Sequence, residues 1–481
     1  MSLKKTAITG LIWTFSQQFG NQMIGFVVSL ILARILLPEE FGLIGMIAIF
    51  VALGNLFSTA GLSQSLIRSS DFNQEDYSTV FFFNLAASIL AYFLLFFSAP
   101  LIASFYSKPI LIPIVRVQGL SFIFSAFATV QLARLTKEMD FKTQTLVAIP
   151  AAIFGGIVGV VMAYTGYGVW SLVGSSLITT AVSTTLLWIY SGWMPSLIFN
   201  VQKFREHFSF GYKLTVSGFL NKIFDNIYLI VIGKYFTAAQ VGFYSRAETT
   251  KQLPVTNISV ALNRVTYPLF ANIKDDNIRL KRVYKQLMQM VVFVVAPVLV
   301  ILAVLAELVF RFLFTEKWLP AVPYFQILCA ISILYPIHAY NLNVLNVKGR
   351  SDLFLKLEIY KKILIAAAIV VTLKLGIIAL LYGQVVVSIF AFFINTHYTG
   401  KFIDYSGFDQ TKDILPILFY AALSGAVVFF IDTYTLLKFG DIVRILVGGF
   451  IGLGIYLGTA HLFKNSSFLE LLNLFQKRKP L

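Results

Sequence analysis

Residues 211–236, GYKLTVSGFLNKIFDNIYLIVIGKYF, and 237–268, TAAQVGFYSRAETTKQLPVTNISVALNRVTYP, read as two successive membrane-spanning helices. At 1.5 Å per residue, each is long enough to cross roughly 30 Å of hydrocarbon. Yet they carry Lys222, Asp225, Asn226, Arg246, Glu248, Lys251, Asn257 and Arg264. A Lys or Asp at the centre of a span costs roughly 2.5–3.5 kcal/mol on insertion scales, so such groups face a partner or a water-filled cavity. Function is therefore expected in this stretch, and the apolar runs around it are expected to be the scaffold that holds it in a bilayer.

Of the 481 residues, 58% are hydrophobic and only 12% are charged, with a mean hydropathy of +0.81. A soluble domain needs about a quarter charged residues, so the composition points to an all-α polytopic membrane protein. The single cysteine, Cys329, excludes a disulfide framework, and the four histidines, His207, His338, His397 and His461, show no metal-type clustering. No metal site is expected. The net charge of +16 comes from basic residues in short loops between apolar runs, a placement that orients a chain in a membrane and does not suggest nucleic acid. After Lys4 and Lys5 the apolar run extends to Leu37, well beyond the about 7–15 residues of a signal-peptide core, and is read as a retained first span.

Charged and Gly/Pro-marked breaks divide the chain into about fourteen spans: six by residue 190, six over 208–397 and two over 414–463. The domain reading is an N-terminal six-helix lobe (1–192), a cytoplasmic linker (193–210), a C-terminal six-helix lobe (211–398), and two extra helices with a basic cytoplasmic tail (399–481). Lys137, Lys142, Lys203, Arg205, Lys274, Arg279, Lys348, Arg350 and Lys477 fall in alternate loops, which places both termini in the cytoplasm. The linker, with Lys203, Arg205, Glu206 and His207 among Phe and Leu, is expected to lie as an amphipathic segment on the cytoplasmic surface. Laid on itself with an offset of 200 residues, the chain pairs Asn21 with Asn221, Arg34 with Lys234, Gly42 with Gly242 and Leu62 with Leu262. An even number of spans separates the copies, so the repeat is parallel, about an axis along the membrane normal.

On the seventh span Gly218, Lys222, Asp225 and Asn226 share a helical face. Lys222 and Asp225, three apart, either pair with each other or face a cavity. On the eighth, Arg246, Thr250, Asn257 and Arg264 form a stripe, with Lys251 about 100° away; Arg264 is close enough to the end to snorkel. Gln17, Gln18, Asn21 and Gln22 form a polar band on the first span, either an opposite wall or interhelical glue. Arg116 either binds an anion or snorkels, and Glu307 is either a protonatable coupling group or, the favoured expectation, a buried, hydrogen-bonded carboxyl. His338, Asn341 and Asn343 are expected to be a satisfied polar cluster. No phosphate-binding Gly-rich loop with Lys-Ser/Thr, no His-Glu-x-x-His and no Gly-x-Ser-x-Gly is present. A mainly cationic cavity between two repeat-related bundles describes a secondary carrier for a phosphate- or carboxylate-bearing substrate, with Lys222, Arg246 and Lys251 facing the cavity.

The run Thr9–Arg68 resembles the start of the bacterial polysaccharide flippases of the multidrug/oligosaccharidyl-lipid/polysaccharide exporter superfamily. The likeness rests on Ala33-Arg34, Leu37-Pro38 and Phe41-Gly42, on Gly61-Leu62-Ser63-Gln64-Ser65-Leu66-Ile67-Arg68, and on Trp193-Met194-Pro195 through Phe208-Ser209-Phe210-Gly211. The resemblance implies a flippase, not an enzyme, in the bacterial cytoplasmic (inner) membrane. It would move a polyprenyl-diphosphate-linked oligosaccharide to the outer leaflet by alternating access, for surface polysaccharide or lipopolysaccharide biosynthesis. It implies no cofactor, a coupling ion that is Na+ or H+, and polysaccharide polymerase or assembly proteins as partners. Related lipid II flippases place Arg on the first, second and eighth spans; here Arg246 and Lys251 fit the eighth-span role, while the first span carries Gln18 and Asn21 instead. The expected substrate contacts are Lys222, Asp225, Asn226, Arg246, Lys251, Asn257, Gln18, Asn21 and Arg116. The competing readings are a multidrug exporter, against which the basic excess argues, and a membrane-embedded polysaccharide polymerase or ligase, which would need a large external loop or an acid/base pair.

Overall fold

Helix boundaries follow the charged and Gly-marked breaks of the sequence. The computed structural model describes the backbone of residues 3–59, 61–68 and 73–476, leaving the side chains of 3–8, 11, 68, 210, 214, 256–265 and 473–476 outside the description. The described residues are helical, with no strand. In order they are α1 (Leu3–Ile35), α2 (Pro38–Thr59), α3 (Leu62–Arg68), α4 (Gln74–Tyr106), α5 (Leu111–Lys137), α6 (Phe141–Tyr164), α7 (Trp170–Ser191), α8 (Val201–Asp225) and α9 (Ile227–Tyr235). There follow α10 (Ala238–Asn272), α11 (Asn277–Val304), α12 (Ala306–Phe314), α13 (Val322–Val347), α14 (Ser351–Thr372), α15 (Ile377–Ile403), α16 (Gly407–Tyr434), α17 (Asp441–Leu462) and α18 (Ser466–Gln476).

Among the described residues eleven helical runs are long and apolar enough to cross a membrane, twelve if α8 and α9, bent by 47° at Asn226, form one span. The other two of the fourteen expected are α10, with Arg246, Glu248 and Lys251, and α14, with Asp352, Lys356, Glu358, Lys361 and Lys362. Their polar residues, not their length, set them apart: charge in α14, and charge together with Thr, Asn, Gln and Pro in α10. Two further expected spans are interrupted. The second breaks between α2 and α3 at Gly61, where φ is +67° and a Cβ would lie 2.6 Å from Gly211 O, a position only glycine fits. The ninth breaks at Leu305, between α11 and α12. Within the expected linker, Asn200 accepts from the backbone N–H groups of Gln202 and Lys203, so a helix starts at Val201 and runs unbroken to Asp225.

Compactness divides the chain into Met1–Ser245 and Arg246–Leu481, with the division inside α10, because α8 and α9 pack on α2 and α4. In the first unit α1 packs on α6, α6 on α7, and α4 with α7 on α5. Phe81 is its aromatic centre, edge-to-face with Phe127, Trp188 and Trp193 at 5.9–6.1 Å. The second unit is built around α11, which meets α13, α16 and α17. Its core holds Phe270, Tyr284, Tyr340 and Tyr405, ring on ring, with Tyr405 OH donating to Asp413 Oδ2 at 2.7 Å.

The repeat is a physical contact. Within the first unit the two copies of the turn meet at Gly42 and Gly242: a Cβ on Gly42 would lie 1.7 Å from Ala238 O, and one on Gly242 would lie 1.9 Å from Pro38 O. Positions 38 and 238, like 42 and 242, are 200 apart, so the interface is self-complementary, as a two-fold axis requires. The caps repeat as well, Glu40 Oε2 accepting from Leu37 N–H at 2.6 Å and Gln240 Oε1 from Thr237 N–H at 3.0 Å.

Candidate functional site

The 47° bend between α8 and α9 frees backbone groups that must find partners. Asn226 supplies them: its amide donates to Lys222 O at 2.9 Å, and its carbonyl accepts from Ile230 N–H at 3.0 Å. Lys222 and Asp225 are exposed just before this bend and Asn226 is half-buried, while Gly218, on the same face, lies against Leu56 of α2. The repeat aligns this band with the one on α1, Asn21 with Asn221 and Gln22 with Lys222. On α1, Gln18 is exposed; Asn21 is half-buried, and its Oδ1 has no hydrogen-bond partner among the described residues.

The other expected contacts are held differently. Arg116 packs onto α4, its Nε donating to Phe96 O at 3.4 Å and its guanidinium 4.1 Å from the Phe96 ring centroid. Arg246 is only 6% exposed, and its guanidinium lies 4.9 Å from the ring centre of Phe314 and 5.1 Å from that of Trp318. Such ring faces are good partners for a desolvated cation. Lys251 pairs with Glu248 one turn back at 3.1 Å, so two opposite charges share that level of α10. Asn257 and Arg264 lie outside the described side chains. Glu307 departs from the expected buried carboxyl: it is exposed and paired with Arg311, four residues on, which also reaches Asp441 at 3.5 Å. Its place at the start of α12, by the break at Leu305, leaves it near the surface.

His338 and Asn341 are satisfied, but by separate sets. His338 meets Ser388 Oγ at 3.2 Å and Asn395 Nδ2 at 3.3 Å. Asn341 exchanges two 3.2 Å bonds with Gln410 and accepts 2.6 Å from the Thr399 hydroxyl. No cluster of metal-ligating groups occurs among the described residues. One constellation goes beyond the sequence reading: His207, 2% exposed, sits between Ser65 and fully buried Asp76, with Lys203 alongside. The pattern Asn73-x-x-Asp76 could have signalled a capping box, but nothing local connects it to a histidine 131 residues away.

These features define an all-helical multi-pass membrane protein, with eleven or twelve apolar spans among the described residues. A solved structure titled lipid II flippase MurJ, inward closed conformation, shares the fold with a TM-score of 0.75 at 14% identity, over 95% of this chain and 99% of that one. An inward-facing multidrug resistance MATE family transporter aligns at 0.62 and 15% identity over 80% of this chain and 96% of that one. Residues 31–323 match the family described as polysaccharide biosynthesis protein, and the chain belongs to that family. It is 26% identical to the lipopolysaccharide biosynthesis protein WzxC of Escherichia coli (strain K12) over 89% of this chain and 88% of that protein. It is also 26% identical to the succinoglycan biosynthesis transport protein ExoT of Rhizobium meliloti (strain 1021), over 66% and 65%.

Proposed function

We propose that this protein is a flippase that carries a polyprenyl-diphosphate-linked oligosaccharide from the cytoplasmic to the outer leaflet of a bacterial inner membrane, for surface polysaccharide or lipopolysaccharide synthesis. The reading rests on the conjunction of family and fold: a polysaccharide biosynthesis protein folded along nearly its whole length like a lipid II flippase. The two six-helix lobes would rock about the bound substrate, both termini would be cytoplasmic, and polymerase or assembly proteins would receive the product. Lys222, exposed beside the α8 bend, is the first candidate for the diphosphate, since an unneutralised ammonium is a strong partner for phosphate. Gln18, Asn21 and Asn226 would contact the sugars. Arg246 and Lys251, already engaged with aromatic rings and with Glu248, would shape the site and its field.

In cells lacking the gene, lipid-linked oligosaccharide should accumulate in the cytoplasmic leaflet and surface glycan should disappear. Reintroducing Lys222→Ala at normal abundance should restore at least tenfold less flipping than the parent protein, whereas Lys222→Arg should restore most of it. Normal surface glycan in the deletion, with altered sensitivity to cationic drugs, would instead favour the multidrug reading.

A further inference from the structure

The flippase reading makes no use of the buried histidine of the first unit. His207, in the second turn of α8, is fixed from both ends: Nδ1 lies 2.8 Å from Ser65 Oγ of α3, and Nε2 lies 3.3 Å from Asp76 Oδ1 in the first turn of α4. Asp76 is fully buried, its other oxygen accepts from Asn73 N–H at 3.1 Å, and Lys203 Nζ approaches Oδ1 at 3.3 Å. We propose that His207 is a proton-binding site whose occupancy sets how firmly the start of α8 is docked on α3 and α4, and that, resting on the flippase reading, it makes the proton the coupling ion of transport.

The geometry specifies which nitrogen exchanges the proton. An ionised carboxylate only accepts, so Nε2 facing Asp76 keeps its hydrogen in both charge states. A serine hydroxyl both donates and accepts, so Ser65 donates to bare Nδ1 and, after turning its O–H, accepts from Nδ1–H. The half-buried Ser65 hydroxyl relays the proton, passing its own to Nδ1 as it accepts one from water, and the reverse exchange returns it with no heavy atom displaced. Asp76 supplies the counter-charge. Lys203 competes for the same Oδ1, and protonation of His207 strengthens the imidazolium–carboxylate bond at its expense. Lys203, 29% exposed, can then turn to Glu206 or Glu75, the acidic neighbours on α8 and α4 whose charges act on it. Lys137 of α5 is held over the Tyr77 ring at 5.8 Å, and Arg68 of α3 is outside the described side chains.

The position suits coupling. The stretch before α8 is already strapped to α4: Gln74 donates to Met194 O at 2.7 Å, Trp193 Nε1 donates to Gln74 Oε1 at 2.6 Å, and Asn200 Nδ2 donates to Glu75 Oε1 at 2.9 Å. His207 is the one titratable link among these bonds with a neutral form at physiological pH. Lys222 lies fifteen residues further along the same helix, about 22 Å at 1.5 Å per residue. One rigid rod therefore joins the proton site to the proposed diphosphate contact.

The test uses the full-length protein in nanodiscs with 15N-labelled histidine, the His207 signal being assigned by its loss in His207→Gln. Between pH 5 and 8.5 that signal should show a one-proton transition at Nδ1, and Asp76→Asn should lower its midpoint by a unit or more. Hydrogen exchange of residues 201–212, corrected for intrinsic rate, should be several-fold slower below the midpoint than above it, and this difference should vanish in His207→Gln. The pH profile of flipping in proteoliposomes should bend at the same midpoint and flatten in the variant. A His207 signal that does not titrate, or a midpoint indifferent to Asp76→Asn, overturns the proposal. Titration and exchange behaving as expected while no lipid-linked saccharide is flipped would overturn the coupling claim and the flippase reading but leave the proton site standing. Reactivity of the sole thiol, Cys329, which is buried, reports whether each variant is folded, and if His207→Gln fails to fold, the signal is assigned as the one that survives in His338→Gln, His397→Gln and His461→Gln alike.

Discussion

Arg246 and Lys222 lie 24 positions apart in the stretch that promised function, and their surroundings give them different work. Arg246→Ala removes a cation from between two ring faces and opens a gap beside Phe314 and Trp318. It should destabilise the fold by about 2 kcal/mol through lost packing and cation–π contact. Lys222→Ala should leave stability within about 0.5 kcal/mol, as exposed substitutions do. Labelling of Cys329 during thermal unfolding in detergent distinguishes the two. In the second unit, Gln410→Leu removes both bonds to Asn341, which keeps Ile337 O and the Thr399 hydroxyl, and leaves the fully buried Tyr284 hydroxyl without its acceptor. A cost of about 2–3 kcal/mol is expected, the penalty for buried polar groups left unpaired, and it is visible in the same labelling curve. Asn341 was legible as a polar residue on an apolar helix, but its partner Gln410, 69 residues away, was not.

Among the helices, the contact between the starts of α2 and α10 has the least tolerance. Gly42→Ala or Gly242→Ala would drive a methyl into a backbone carbonyl, which cannot rotate away as a side chain can. Each should cost more than about 3 kcal/mol, at or above the upper end of overpacking penalties, and reduce folded protein recovered from membranes. A normal yield from both would show that the two turns do not touch. Asn200→Ala removes the cap of α8 and should cost about 1 kcal/mol, while Asn200→Asp should retain most of the stability. The repeat that brings the two glycines together was visible as an offset of 200, because glycine is tied to close backbone approach. That the helix begins at Val201, inside the expected linker, depends on the Asn200 cap, because apolar patterning does not mark where a surface segment joins a span.

For the molecule as a whole, the count of spans decides the topology. If α10 and α14 cross the membrane despite their charges, fourteen spans place both termini on one side. Reporters fused near Gly349 and Gly376, which flank α14, should then report opposite compartments, and amino- and carboxyl-terminal reporters the same one. Matching compartments at 349 and 376 would take α14 out of the membrane. Its charges lie between Asp352 and Lys362, toward the amino-terminal end, and the pairing of Lys361 with Glu358 within the helix lowers the cost of placing them in a bilayer.

Hydropathy and the 200-residue offset pointed to the class of this protein, because span length and repetition are properties of consecutive residues. The pairing of Lys251 with Glu248 belongs to the same local kind, three residues apart, and was there to be read. The fate of the remaining charges was not. Arg246 under two aromatic rings, Arg116 on the neighbouring helix, and His207 between Ser65 and Asp76 each depend on side chains 20 to 142 residues away. A charge in an apolar span must find a partner, and which one it finds depends on the packing of helices that no local pattern encodes.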